Sequence, residues 1–154
     1  QTPLAIAKCH KIDTDIVVVP ILRAGVGMLE RILELVPTAR VGFVGLYRDE
    51  ETKLPVSYYE RFPPQVDGGT CILIDPMLAT GGSTAAAIEV LKKHGASKIV
   101  VICIVTCEEG LSLVEDAHPD VPIYTASIDE KLDENKYIVP GLGDAGDRLF
   151  GTSH

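Results

Sequence analysis

Apolar residues along this chain gather in short runs, and the runs alternate between two periods. Ile16 to Leu22 (IVVVPIL) is continuously apolar, the pattern of a strand buried on both faces. Arg23-Ala-Gly-Val-Gly27 reads as a loop. Met28 to Val36 then carries apolar residues at 28, 29, 32, 33 and 36, a helical stripe that Pro37 ends. Val41 to Tyr47 predicts a second strand. Arg48 to Pro64 is polar and broken by prolines, a long excursion that suits a β-hairpin; loops of this length usually serve function. Cys71 to Ile74 is a short buried strand, followed by the loop DPMLATGGST. Thr84 to His94 is the clearest helix, with Ser83 or Thr84 as N-cap, lysines in its last turn and Gly95 as its stop. Ile99 to Val105 predicts a strand, Glu108 to Ala117 a helix, and Val121 to Ser127 a further strand. Tyr137 to Thr152, rich in glycine and aspartate, reads as irregular. The alternation predicts an α/β fold with a mainly parallel sheet flanked by helices.

Composition adds limits. The 154 residues suit one domain, 1–154, and 46% hydrophobic with 23% charged residues is ordinary for a globular chain. A formal net charge of -8 argues against a broad nucleic-acid surface, and the apolar runs are too short to cross a bilayer. Anion binding would need a local cradle instead. Cys9, Cys71, Cys103 and Cys107 have no C-x-x-C spacing. They are expected as unpaired thiols in a reducing cytosol, with Cys103 and Cys107 sharing one strand face.

Asp75 to Ser83 supplies the cradle. An apolar strand runs into Asp75, then Thr80-Gly81-Gly82-Ser83 leads into a helix. A helix N-terminus presents unpaired N–H groups and about half a positive charge, which suits phosphate. The glycines allow close approach, and Thr80 and Ser83 add hydroxyls. A carboxylate at the strand's carboxyl end repels phosphate but accepts hydrogen bonds from ribose hydroxyls, so the pair fits a ribose 5-phosphate. An arbitrary G-G-S before a helix is more often only a turn and cap; here the buried strand and Asp75 favour a ligand. No G-x-x-x-x-G-K-[ST] occurs. Gly141 to Gly146 matches G-x-G-x-x-G, but eight residues leave no room for the helix, strand and acid of a dinucleotide site. With Pro140, that stretch reads instead as shaped backbone able to offer N–H and C=O groups to a flat ligand.

VVPILRAG (18–25), DPMLATGGS (75–83) and KYIVPGLGDAGD (136–147), in this order, resemble the uracil phosphoribosyltransferases, a type I phosphoribosyltransferase family. The likeness runs from about Thr2 to Thr152. It implies transfer of the phosphoribosyl group from phosphoribosyl pyrophosphate to uracil, giving UMP and pyrophosphate with Mg²⁺, in a cytoplasmic homodimer or higher homo-oligomer, with GTP as a candidate activator. By position, Asp75, Pro76, Met77, Leu78, Ala79, Thr80, Gly81, Gly82 and Ser83 would hold the ribose 5-phosphate, and Arg23 and Arg48 the pyrophosphate. Ile138, Gly143, Asp144 and Ala145 would form the uracil pocket within an irregular C-terminal hood. Arg23 and Asp144 would be the catalytic residues, Asp144 also reaching the phosphoribosyl pyrophosphate. No side chain is assigned as a metal ligand. Segment 49–64 would be a lid, with Tyr58 or Tyr59 as contacts.

The chain departs from the family's pattern in places. Thr106-Cys107-Glu108 stands where relatives carry small residues and proline, Asn135-Lys136 replaces a His-Gly, and the family's pattern begins several dozen residues before Thr2. Three other readings stay open: a non-catalytic binder of phosphoribosyl pyrophosphate or UMP, a transferase for another base, and an unrelated flavodoxin-like nucleotide binder. Arg23 and Arg48 favour catalysis over the first, GLGDAGD opposes the second, and Asp75 before TGGS opposes the third.

Overall fold

The computed structural model describes residues 1–49 and 55–152, apart from the side chain of Arg48. Residues 1–15 are exposed and form no helix or strand. In chain order the elements are β1 (Ile16–Leu22), α1 (Val26–Leu35), β2 (Arg40–Val41), β3 (Phe43–Arg48) and β4 (Pro55–Arg61). A 3-10 turn (Pro64–Val66), β5 (Thr70–Ile74), β6 (Met77–Leu78), α2 (Gly82–Lys93), β7 (Lys98–Cys107) and α3 (Glu108–Ala117) follow. The chain ends in β8 (Ile123–Asp129), β9 (Lys131–Leu132), β10 (Ile138–Val139) and α4 (Ala145–Phe150).

The main sheet runs β4-β3-β1-β5-β7-β8, with β2 on the β3 side of β1. All its pairings are parallel except β3 with β4: the hairpin expected within 48–64 instead pairs the preceding strand with Pro55–Arg61. From β1 the chain crosses outward through α1 to β3; from β5 it crosses the other way through α2 to β7 and through α3 to β8. Right-handed crossovers in opposite directions put α1 on one face and α2 with α3 on the other. The direction reverses between β1 and β5, and a crevice opens at such a point outside the strands' carboxyl ends. Arg23 follows β1 and Asp75 follows β5, so both stand at that crevice.

Burial explains the strands. β1 buries Val17, Val18, Val19, Pro20 and Ile21, as a strand covered on both faces must. β7 alternates: Ile99, Val101, Cys103 and Val105 are buried on the side of α2 and α3, while Ile104 points the other way and is exposed. Cys103 and Cys107 share the buried face, as their spacing predicts, and both are unpaired thiols. The core beneath α2 joins Val17, Val19, Leu73, Ile88, Leu91 and Val101. A smaller cluster, Val105, Cys107 and Ile138 with Met77 and Leu132, anchors the C-terminal segment to the sheet.

Several sequence expectations are corrected. The strand expected over Val41–Tyr47 is interrupted at Gly42, where the Phe62 ring fills the space a side chain would take. Helix α1 begins at Val26, because Gly27 N–H to Ala24 C=O and Met28 N–H to Gly25 C=O form a first turn ahead of the apolar stripe. Helix α2 begins at Gly82, capped by neither Ser83 nor Thr84. Ala85 N–H donates to Gly81 C=O at 2.9 Å, which draws both into the first turn. Strand β8 begins at Ile123, since Val121 closes a turn onto the His118 carbonyl. Segment 137–152 is irregular only in part: β10 pairs with β9, and α4 follows with the Asp144 carboxylate accepting from Asp147 N–H. Two-residue strands and a six-residue helix are too short to show a period.

Candidate active site

Asp75 is the hinge of the site. Strand β5 ends at Ile74, the chain bends at Asp75-Pro76, and β6 resumes in the same lane alongside β7. The Pro76 carbonyl accepts both Ile104 N–H and Val105 N–H at 3.1 Å, and this fixes the bend. Burial pushes the Asp75 carboxyl up to about 7, although Met77 N–H partly offsets the cost of its charge.

Beyond Asp75 lies a small cradle of about 90 Å³, lined by Asp75, Met77 to Gly81, Ser83 and Thr84. It opens onto the N-terminus of α2, which carries no acidic residue in its first turn and no side-chain cap. The dipole and N–H groups there are left for an anion. Gly81 makes the turn with φ +80°, and a Cβ on it would stand 2.7 Å from the Gly110 carbonyl oxygen. The loop is braced from behind. Buried Thr106 donates its hydroxyl to the Leu78 carbonyl at 2.8 Å, and the Cys107 thiol donates to the Ala79 carbonyl at 3.3 Å. Burial, first among its causes, raises the Cys107 pKa. Gly110, at the start of α3, lies so close that a Cβ would strike the Ala79 carbonyl.

A second cleft of about 210 Å³ shares Asp75, Met77 and Ala79 with the cradle. Its other walls are Ala24 after β1, Lys136 to Ile138, and Gly143 to Gly146. The sequence-predicted pocket residues Ile138, Gly143, Asp144 and Ala145 therefore meet in one place, next to the phosphate loop. Ile138 is buried in the smaller core cluster, so its side chain anchors the wall. Gly143 has φ +70°, and Gly141 N–H is held by the Asp129 carboxylate at 2.9 Å. Lys136 also has positive φ, +69°, a conformation costly for a residue with a Cβ. The Leu22–Arg23 and Val139–Pro140 peptide bonds are cis.

Arg23 stands at the rim, next to the cleft-lining Ala24. Its guanidinium donates to Asp147 Oδ1 and to Thr152 Oγ1, both at 3.1 Å, while Thr152 donates to the same Asp147 oxygen at 2.6 Å. Sequence reasoning assigned no part in the site to Asp147, Thr152, Thr106, Cys107 or Gly110. The only signals were the second acid of GLGDAGD and the unusual Thr106-Cys107. Arg48 ends β3, and its side chain lies outside the described residues, as do residues 50–54 of the expected lid. Tyr58 and Tyr59 lie on β4, about half exposed, and line neither cleft. A larger cleft of about 330 Å³, between α1, Ile104 and α4, is almost wholly apolar and holds none of the phosphate-loop side chains beyond Pro76.

Among the described residues no group of three or more His, Cys, Asp or Glu could hold a metal ion by itself, and no helix is long and apolar enough to cross a membrane.

The family model described as uracil phosphoribosyltransferase matches residues 1–152. A uracil phosphoribosyltransferase of Clostridium acetobutylicum is 56% identical over 99% of this chain and 73% of its own length. One of Streptococcus salivarius is 58% identical over the same shares. A solved structure of an Aquifex aeolicus protein superposes with a TM-score of 0.84 at 44% identity, covering 90% of this chain and 66% of that one. A purine phosphoribosyltransferase of Pyrococcus horikoshii, at 15% identity and a TM-score of 0.58, shares the fold.

Proposed function

The chain belongs to the uracil phosphoribosyltransferase family, and from that premise we propose that it transfers the 5-phosphoribosyl group of phosphoribosyl pyrophosphate to uracil, releasing UMP and pyrophosphate. One observation carries the reading at this site: the small cradle and the hood-covered cleft meet at Asp75, with the Arg23 guanidinium beside Gly146 in the wall of the cleft. A ribose 5-phosphate laid along this line has its phosphate at the α2 N-terminus and its hydroxyls at Asp75. Its C1 then faces the hood, where the base belongs.

The chemistry follows from charge. As the C1–O bond to pyrophosphate breaks, C1 gains oxocarbenium character and the leaving group gains negative charge. Arg23, with Arg48, would hold that charge, and the cleft would keep water from C1 while the uracil nitrogen attacks. The backbone of 138–145 would read uracil. Cytosine would place an amino group where uracil offers an acceptor and leave polar groups unpaired, a strong discrimination. Asp75 and Asp144, two carboxylates lining the cleft, would help to hold a Mg²⁺ ion, which would supply charge neutralisation for the leaving group. The same reading includes a cytoplasmic setting, which suits the buried thiols, along with homo-oligomeric assembly and activation by GTP.

The test is UMP formation from uracil and phosphoribosyl pyrophosphate with Mg²⁺, with and without GTP, beside orotate, hypoxanthine and cytosine. Product with uracil alone is expected. No product with any base, together with retained UMP binding, would replace the transferase by a sensor.

A further inference from the structure

The Arg23 guanidinium is half exposed, and a long side chain at a rim ordinarily samples many rotamers. Here it does not stand alone. Asp147 Oδ1 takes one guanidinium N–H at 3.1 Å, and Thr152 Oγ1 takes another from the second terminal nitrogen at the same distance. Thr152 is itself fixed by donating to Asp147 at 2.6 Å. The chain makes this possible by its last turn: Gly151 adopts a left-handed conformation (φ +67°) and closes α4 with its N–H on the Asp147 carbonyl, which folds Thr152 back over the helix. The Asp147 carboxylate is much less exposed than its partner, at 16% against 50%, so it is the fixed member and the arginine the member being held. Arginine has five N–H donors in a planar fork, and these two contacts use only two of them.

The contact also joins two separate parts of the site. Asp147 N–H donates to the Asp144 carboxylate at 2.8 Å, and Asp144 lines the base cleft. A short path therefore runs from the base cleft through the first turn of α4 to the arginine after β1.

We propose that Asp147, supported by Thr152, is a positioning residue that orients the Arg23 guanidinium toward the departing pyrophosphate. The proposal rests on the transferase reading above, and it concerns leaving-group stabilisation rather than base binding. Asp147 does not touch the substrate in this scheme; it fixes in advance a donor whose orientation would otherwise have to be selected during the reaction.

The substitution Asp147→Asn keeps the backbone N–H that caps α4 and removes the charge that holds the arginine. It is expected to lower kcat about tenfold or more while KM for uracil stays within about twofold. Thr152→Val should cost less, and Thr152→Ser should restore the loss. The deciding measurement is a double-substitution cycle: in an Arg23→Ala background, Asp147→Asn should have little further effect on kcat, because the guanidinium it orients is gone. A full, additive loss in that background would overturn the proposal, as would a rise in KM for uracil with kcat unchanged. Titration with inorganic pyrophosphate and Mg²⁺ repeats the same cycle without turnover. Should the wild type form no UMP, the transferase reading fails while the positioning proposal is still decided: coupled losses of pyrophosphate affinity support it, and additive ones sink it.

Discussion

A carboxyl group buried at the end of a strand is costly to ionise, and Asp75 shows the cost in a pKa raised to about 7 from 3.8. The sign of the consequence is fixed. The folded chain holds this proton over a range where the unfolded chain has lost it, so Asp75 makes stability fall as pH rises from about 4 to about 7 and leaves it level above. Asp75→Asn should remove that slope and stabilise the protein at pH 8, which denaturant unfolding at several pH values will show. Ribose hydroxyls need the ionised acceptor, so the same group should weaken ribose 5-phosphate binding as pH falls below about 7. The Asn variant, with weaker binding throughout, should retain only the pH dependence of the ligand's own phosphate, whose second pKa is about 6. Lys136 is a separate case. Its φ of +69° favours glycine, and Lys136→Gly is expected to stabilise the chain by about 0.5–1 kcal/mol in thermal unfolding. At this scale the position of Asp75 was legible, because a buried strand running into an acid and a glycine loop sets that acid at the strand's carboxyl end. The partner of Arg23 was not, since 124 residues separate Arg23 from Asp147 and no local pattern connects them.

The loop between Asp75 and Ser83 takes its shape from two elements that never enter the cradle. Strand β7 sends the Thr106 hydroxyl and the Cys107 thiol to successive loop carbonyls, and α3 brings Gly110 against the same stretch. Thr106→Val keeps the volume but leaves the buried Leu78 carbonyl without its hydroxyl donor, a loss of about 1–3 kcal/mol. It should appear both in denaturant unfolding and as weaker ribose 5-phosphate binding. Gly110→Ala places a methyl against backbone atoms and should be the more damaging of the two. A reduced affinity with unchanged stability would locate the effect in the loop; the reverse would make Thr106 a core residue only. Long elements with a clear period, β1, α2 and α3, were legible to within a few residues. The hood was not: β9, β10 and α4 are set by one ladder of two residue pairs, one aspartate cap and a small apolar cluster, all of which need the sheet already in place.

For the molecule as a whole, the parallel order and the reversal between β1 and β5 explain why two distant sequence motifs meet, and that much follows from strand–helix alternation. The alternation does not reveal how unevenly the sheet is covered. Helices α2 and α3 close one face, whereas the other has α1, a helix with no buried residue, and the six-residue α4 beside it. On the face left open, register places Ile102 beside Tyr124 and Thr106 beside Ile128, so Ile104, Tyr124 and Ile128 point the same way. They are exposed at 44%, 62% and 61%. Apolar side chains gathered on one sheet face are a reason for self-association, as the oligomeric reading requires. The expected result is concentration-dependent association in sedimentation, lost in a Tyr124→Glu/Ile128→Glu variant that still binds ribose 5-phosphate, because neither residue lines the cradle. A wild type that sediments as a monomer at all concentrations would remove the oligomer from the reading and leave the site at the β1–β5 crevice as it stands.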